Sequence, residues 1–598
     1  MTLPIAAVLL LVAAAAVLLI ADRLRPDLVA LLVLVILGLT GLVGPADLFS
    51  GFSRSAVITI LALFIITAGL ERTGATRVLG QQLGRLAGES EARAVLVVMV
   101  ATALLSVMMN TVAAAAVLLP ATVGLARQKG LPPSRLLMPL SFGALLGGMA
   151  TLFTTANLLA SAALVDHGYR GLSVLDFLPT GAPLAVAGIV YMAVFGRRLL
   201  PSRQIGGQEG PVRPTGTLAE SYGMTGAISG AYVKPGSAMA GLSLAEGQWG
   251  EKLALNVIGI SRGGHVDLAP NQREDVLEGD IVLFSGICDQ PDLDRYGLVL
   301  THAPEFKGNL ASERVSLVEV TLAPRSGFAG KTLREMHFRD KYDLSVLAVW
   351  REGNTLRDAL GDIPLRFGDA LLLQGQRGKI DLLRDEPALL VLEEDTGPVE
   401  MPRRAWLAVA LTSLAFVLAA ANVLPIAESA FSAAVLMILL GCLDMNDAYH
   451  AVEWRSIFLI AGMLPLGLAL TSTGAAALLG TALVRALGAL GPLAVAAGLF
   501  WAATLLTQVI SGQVAPVVLA PIAIAAAQGL GIDPRGIVMA VAMGCSTAFL
   551  TPISHSANLL VMGPGGYRFK DYARVGLPLT LILFVVLMPV LWIVWGVR

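Results

Sequence analysis

Four short polar stretches interrupt apolar runs in this chain: Met109-Asn110-Thr111, Thr151 to Asn157, Ser511-Gly512-Gln513 and Ser554 to Asn558. Their candidate ion-binding residues are Asn110, Thr111, Thr151, Thr154, Thr155 and Asn157, then Ser511, Gln513, Ser546, Thr547, Thr551, Ser554, His555, Ser556 and Asn558. Asn and Ser/Thr oxygens, with unwound backbone carbonyls, suit a hard cation such as Na⁺. Hydroxyls, amides and the positive N-terminal ends of broken helices suit an anion. No Lys or Arg stands in these segments. A lone Ser or Thr can instead bond its own helix backbone or pack against a neighbour. His555 could donate to an oxyanion, titrate near neutral pH or cap a carbonyl.

These residues must be positioned by membrane segments. Ser106 to Pro120, and more weakly Gln508 to Pro521, read as re-entrant hairpins, because each places a polar kink in an apolar run. Non-helical backbone at membrane depth needs cover from protein or a watery cavity, so such a tip suggests a binding site. Either stretch alone also reads as a loop between two ordinary membrane helices.

The 598 residues are 56% hydrophobic and 14% charged, which makes an integral membrane protein. The net charge of −1 gives no electrostatic case for nucleic acid. Cys288, Cys442 and Cys545 have no metal or disulfide spacing and read as packing residues. Leu3–Ile20, Leu28–Val43, Ala56–Leu70 and Ala182–Val194 read as spans, and Glu71–Ser90 as an interfacial helix. Leu136–Leu164 reads as a span broken between Gly147 and Asn157. Glu428 begins a later span and is expected to cap it. No buried carboxylate relay is visible, which favours sodium over proton coupling.

Between Pro201 and about Pro402, charge, Gly, Pro and alternating β-branched residues mark a soluble insert. It repeats itself at a spacing of 89, as in Gly279-Asp280 and Gly368-Asp369, so two small α+β units follow in tandem. Ile281-Val-Leu-Phe and Ala370-Leu-Leu-Leu are expected strands, and Leu333-Arg-Glu-Met a short helix. From Arg403 the chain repeats its first part, with Ala156-Asn157-Leu158-Leu159 matched by Ala557-Asn558-Leu559-Leu560. The expected fold is an α-helical polytopic membrane protein of two inverted repeats, each five spans plus one re-entrant hairpin, with the α+β insert between. Units are expected over 1–200, 215–300, 305–395 and 403–598. Placing the N-terminus outside puts most Lys and Arg, and the insert, in the cytoplasm. If Val95–Ala126 were two true spans, the halves would instead run parallel.

These motifs resemble the divalent anion/sodium symporter family of the ion transporter superfamily, with its Ser-Asn-Thr hairpin tips and Thr-Pro-Pro-Asn-like breaks. Gly563-Pro-Gly-Gly-Tyr-Arg-Phe resembles the sulfate-permease-like branch. The resemblance implies one sodium site at Asn110, Thr151 and Asn157 and a second at Ser511, Gly512, Ser554 and Asn558. It implies substrate contacts from Asn110, Thr111, Thr154, Ser511, Gln513, His555 and Ser556. The tips and breaks depart from the family pattern at Met109, Gly512, Gln513 and His555, which bears on the second sodium site and on dicarboxylate specificity. The insert resembles two copies of the C-terminal subdomain of regulators of potassium conductance, with a small-molecule ligand as one possible role and a structural cap as the other. A homodimer in the cell membrane with elevator-like movement is implied. The expected activity is sodium-coupled symport of a divalent oxyanion, sulfate first. A C4-dicarboxylate or other organic anion symporter is the alternative, and a cation channel or exchanger gated by the insert is the reading from another class. No nucleophile–base pair or metal set supports an enzyme.

Overall fold

The computed structural model describes residues 2–21, 23–75, 86–88, 90–202, 222, 224, 228–253, 255–285, 290–301, 310, 315–323, 326–351, 354–357, 359–383, 386, 388–392, 403–510 and 512–598. Most of the expected interfacial helix after Glu71, together with Cys288 and Ser511, lies outside the described residues.

Long apolar runs without β-branched alternation form helices. The first half contains α1 (Leu3–Ala21), α2 (Pro26–Leu39), α3 (Ser55–Arg72), α4 (Glu91–Met108), α5 (Thr111–Gln128), α6 (Leu137–Met149), α7 (Thr155–Asp166) and α8 (Val174–Tyr191). The second half contains α9 (Arg403–Ala420), α10 (Ile426–Leu439), α11 (Trp454–Ser472), α12 (Ala475–Leu487), α13 (Pro492–Ile510), α14 (Ala515–Leu530), α15 (Pro534–Ser546), α16 (Ser556–Met562) and α17 (Phe569–Val594). Among the described residues, eight helical segments are long and apolar enough to cross a membrane. Each arm of the first hairpin, α4 and α5, has 18 residues and extends about 27 Å. The chain is therefore a multi-pass membrane protein.

The halves interlock reciprocally. Helix α2 packs on α11, while its counterpart α10 packs on α3. Helix α7 packs on α14 and α15, while its counterpart α16 packs on α5 and α6. The two halves thus exchange equivalent contacts. Small residues allow the close approach: Gly143 lies against Met99 and Gly147 against Ala103 on α4, and Gly544 lies against Phe500 on α13. Glu428 occupies the first turn of α10, but the N-cap, Pro425, has no side-chain hydrogen bond there. The glutamate complements the helix dipole rather than capping an N–H.

The insert forms two five-stranded antiparallel sheets. One is built from β1 (Ile228–Val233), β2 (Asn256–Arg262), β3 (His265–Leu268), β4 (Ile281–Ser285) and β5 (Leu298–Thr301), in the order β3-β2-β4-β1-β5. The other is built from β6 (Val315–Leu322), β7 (Ser345–Arg351), β8 (Asn354–Leu356), β9 (Ala370–Gln376) and β10 (Leu389–Val391), in the order β10-β6-β9-β7-β8. Read from the other edge, the two orders are the same. Each sheet has a register shift in its second strand, between Val257 and Gly259 or Val346 and Ala348. Each also has a two-pronged ion pair closing the Gly-Asp turn, Arg262 with Asp280 and Arg351 with Asp369. Its hydrogen bonds to the Asp280 carboxylate hold the Arg262 guanidinium above its usual range. Ile258 and Leu268 of the first sheet share a buried cluster with Leu317, Leu347 and Trp350 of the second. The strands after both Gly-Asp turns match expectation. The expected helix at Leu333–Met336 does not form: Thr332 and Glu335 close a turn on each other, His337 takes φ of 46°, and the helix begins at Phe338.

The second sheet is docked on the membrane half. Arg127, in the last turn of α5, pairs with the fully buried Glu319 of β6 at 3.1 Å, and Tyr222 donates to Glu319 Oε1 at 2.8 Å. Burial, with the Glu319 charge, pushes the Tyr222 hydroxyl well above the ordinary tyrosine range, so it remains a donor. A Cβ on Gly563, just after α16, would run into the carbonyl oxygen of Gly368. The equivalent glycine of the first sheet, Gly279, has open space around it.

Candidate functional site

The first hairpin turns at Met109, which is extended at φ −145° and ψ 172°, and Asn110 then caps α5. Asn110 Oδ1 accepts from the Val112 N–H at 2.8 Å, which satisfies one of the amides left over at a helix start. Ser106 donates to Thr111 Oγ1 at 3.3 Å across the tip.

The first break is the unwound segment 150–154 between α6 and α7, inside the expected interval. Asn157, fully buried one turn into α7, ties the break together: its Nδ2 donates to Thr151 O at 2.6 Å and to Gly148 O at 3.3 Å. A Cβ on Gly148 would lie 2.9 Å from Thr154 Cγ2, 3.1 Å from Thr111 Oγ1 and 3.8 Å from Ser106 Oγ. The tip and the break therefore meet at Gly148, beside the N-termini of α5 and α7.

Two oxygens at this junction are left over. Asn157 Oδ1 and Thr154 Oγ1 are buried and have no hydrogen-bond partner among the described residues. A buried unsatisfied acceptor costs on the order of 1–3 kcal/mol unless something fills it. Oxygens of this type beside unwound carbonyls fit a hard cation. A separate cavity is lined by Ser55, Thr59, Leu152, Leu158, Ser161 and Arg170, and neither Thr154 nor Asn157 is among its lining residues.

The second tip and break are arranged differently. Gly512 sits against the Cys545 carbonyl at the end of α15, at 2.8 Å from where a Cβ would stand. Gln513 Nε2 donates to Ser456 Oγ on α11 at 3.3 Å, so this side chain reaches across to a different helix. In the break, Ser554 Oγ donates to Thr551 O and Ala548 O, and Thr547 Oγ1 to Met543 O. His555 caps α16: its Nδ1 accepts from the Ala557 N–H at 3.2 Å, which leaves Nε2 to carry the proton and donate elsewhere. Ser556 is exposed. Asn558 repeats the role of Asn157, its Nδ2 donating to Ala548 O at 2.7 Å and Thr551 O at 3.3 Å. Its Oδ1, however, accepts from Ser141 on α6 at 2.5 Å.

Thus Thr111, Thr151, Thr154 and Asn157 come together, with Asn110 at the adjoining cap, and Ser554, His555 and Asn558 form the second break. Sequence reasoning missed Ser106, Ser141, Ser456 and Gln508. Gln508 lies on α13, its amide donating to Thr504 O at 3.0 Å and Thr547 O at 2.9 Å, and its Oε1 accepting from the Leu550 N–H at 3.1 Å. A polar residue within an apolar helix was the available signal for Ser141 and Gln508.

With this geometry in place, four similarities to known proteins bear on it. The family described as CitMHS, citrate transporter, matches residues 16–544. A protein of Escherichia coli (strain K12) described as the uncharacterized transporter YfbS is 36% identical over 98% of this chain and 98% of its own length. The uncharacterized transporter sll0640 of a Synechocystis species is 33% identical over 96% of this chain and 94% of its own. Sodium/sulfate cotransporter 1 of Chlamydomonas reinhardtii is 28% identical over 45% of this chain and 32% of its own.

Proposed function

The chain belongs to the citrate transporter (CitMHS) family, and from that premise we propose that it is a secondary active transporter coupling Na⁺ to the uptake of a divalent oxyanion, sulfate first. It is a transporter of this family and not an enzyme.

The observation that carries the cation half of the reading is the pair of unpartnered buried oxygens, Asn157 Oδ1 and Thr154 Oγ1, at the junction of the first tip and break. Na⁺ is held there by Asn157 with the carbonyls of the break and the Asn110 cap. The anion is held between the halves by Thr111, Thr154, Gln513 and the Nε2–H of His555, with the N-terminal ends of α5, α7, α14 and α16 supplying positive potential. Neutral donors suit a dianion that must also be released, because no fixed cation has to be stripped from it. The Chlamydomonas relatives named sodium/sulfate cotransporters support sulfate and sodium. The citrate description of the family favours a second reading, an organic di- or tricarboxylate.

In this account the halves are inverted repeats, the hairpins are re-entrant, and α4–α7 and α13–α16 move as a unit against α1–α3 and α9–α11 in a homodimer. The insert lies in the cytoplasm as two units like the C-terminal subdomains of potassium conductance regulators, a reading supported by the matching strand orders, and it can bind a small ligand. Uptake of labelled sulfate in the presence of excess citrate or succinate separates the substrates. Inhibition by sulfate analogues alone fits the first reading, and equal or stronger inhibition by the carboxylates contradicts it.

A further inference from the structure

The two broken helices end differently beyond their matching Ala-Asn-Leu-Leu stretches. Helix α7 runs on to Asp166, whereas α16 stops at Met562, where Gly563-Pro564-Gly565-Gly566 follows. Proline has no N–H with which to continue a helix, and glycine leaves room beside the backbone. Three residues past the stretch, the first half has Ala162 where the second has Gly563. A turn of the insert fills the room so made. A Cβ on Gly563 would run into the Gly368 carbonyl, and a Cβ on Gly368 would stand 2.8 Å from the Leu559 carbonyl. Tyr567, just beyond the glycines, ties the same segment to the start of α6: its hydroxyl donates to Ser134 O at 2.6 Å and accepts from the Met138 N–H at 2.7 Å.

We propose that the second unit of the insert is a clamp that travels with the moving unit, gripping α5 of the first half at Arg127 and α16 of the second between Leu559 and Gly563. The inference rests on the reading that α4–α7 and α13–α16 move against α1–α3 and α9–α11. The grip on α5 has a polar and an apolar part. Arg127 pairs with the fully buried Glu319 at 3.1 Å, and β10 packs on α5, with Leu392 just beyond it fully buried in the apolar cluster of the membrane helices. Phe367 packs both on that cluster and on the core of the second sheet, so it joins the two. The grip on α16 is braced from within. Arg351 holds both oxygens of Asp369 and donates to Pro364 O at 2.7 Å, and Asp369 accepts from the Arg366 N–H at 2.8 Å. A turn tied at both ends passes on a displacement instead of absorbing it.

Each of these contacts falls on an element of the moving unit, and they join its two halves. The first unit of the insert shows the same turn without a partner. Arg262 holds Asp280 as Arg351 holds Asp369, and Gly279 takes φ of 87° where Gly368 takes 94°, yet nothing stands near Gly279. The turn is thus built twice and used once as a grip. Because the two sheets share a buried cluster, the first unit is carried with the second. A ligand or partner that displaces the first unit then acts on the moving unit through the turn at Gly368 and the pair at Glu319.

The test is pulsed dipolar EPR on the full-length chain in nanodiscs, with Cys288, Cys442 and Cys545 replaced by Ser. Spin labels are placed in pairs at three exposed positions: Leu382→Cys on the second unit, Gln128→Cys at the end of α5 and Arg25→Cys in the turn between α1 and α2. Distances are compared with and without Na⁺, and with sulfate or citrate added. The 382–128 distance is expected to stay fixed while the 128–25 and 382–25 distances shift together, by about 5 Å, one helical turn. A 382–128 distance that shifts whenever the 128–25 distance does overturns the inference and leaves the moving unit intact. A 128–25 distance that is fixed in every condition overturns the moving unit, and the inference with it. Gly368→Ala, which sets a Cβ against the Leu559 carbonyl, is expected to broaden the 382–128 distance, and Gly279→Ala, the same change in open space, to leave it as in wild type. Equal effects of the two overturn the grip at Gly368. Thermal unfolding of each variant separates undocking from loss of fold.

Discussion

Ser141 Oγ donates to Asn558 Oδ1 at 2.5 Å, joining α6 of the first half to α16 of the second across 417 positions of sequence. The oxygen of Asn157, in the matching Ala-Asn-Leu-Leu stretch, has no hydrogen-bond partner among the described residues. The chain thus presents one closed asparagine and one open one.

Ser141→Ala leaves a fully buried carbonyl unpaired. We expect a loss of about 1–3 kcal/mol in stability, seen as a lower Tm in detergent that added Na⁺ does not restore. A Tm equal to wild type contradicts the view that this bond holds the second break.

Gly147→Ala puts a Cβ into the Ala103 carbonyl on α4. Because the neighbouring atom is backbone and cannot swing aside, the helices must separate, at a cost on the order of 3 kcal/mol. The first break then loses its register with the hairpin tip. Tm and sodium binding are expected to fall together, and a fall in neither would mean that α6 and α4 do not approach as described.

The contact between the insert and α5 is tested by Glu319→Gln, which keeps an acceptor for Tyr222 but removes the carboxylate facing Arg127. Arg127 is 36% exposed, so solvent shares its charge and the loss is expected at about 1–3 kcal/mol; faster release of the insert by limited proteolysis checks it. Unchanged proteolysis contradicts docking through this pair.

Tyr222 gives the same contact a pH signature. Its hydroxyl keeps its proton above the range in which an unfolded tyrosine loses it, because burial penalises the phenolate and Glu319 repels it. The stabilisation is therefore complete below about pH 10 and declines as pH rises through and beyond that value. Wild-type Tm is expected to fall more steeply above pH 10 than that of Tyr222→Phe. Parallel curves contradict the assignment.

Much of this was legible in the sequence where the signal is local. The break at 150–154 lies inside the expected interval because Gly and Thr disrupt an apolar run, and the polar tip after Met109 ends α4 for the same reason. The strands after Gly279-Asp280 and Gly368-Asp369 follow from alternation and turn chemistry. What was not legible is pairwise. Periodicity places Ser141 on a helix but does not say that Asn558 faces it, and it gives no reason for Gly563 to meet Gly368. Leu333–Met336 looks helical by composition, yet the Thr332–Glu335 turn and the left-handed His337 decide otherwise. Of the candidate residues, Thr111, Thr151, Thr154 and Asn157 lie together in the structure, with Asn110 at the adjoining cap. The closing donors of the second break, Gln508 and Ser141, were hidden because only comparison of the two halves in three dimensions shows what each one faces.

The measurement that tests the central claim most directly is labelled sulfate uptake into proteoliposomes, with and without an inward Na⁺ gradient, for wild type beside Asn157→Ala. The account predicts uptake that requires the gradient in wild type, disappears when choline replaces Na⁺, and is lost in a variant that still folds. Sulfate uptake by Asn157→Ala at the wild-type rate and with the wild-type sodium dependence would contradict it.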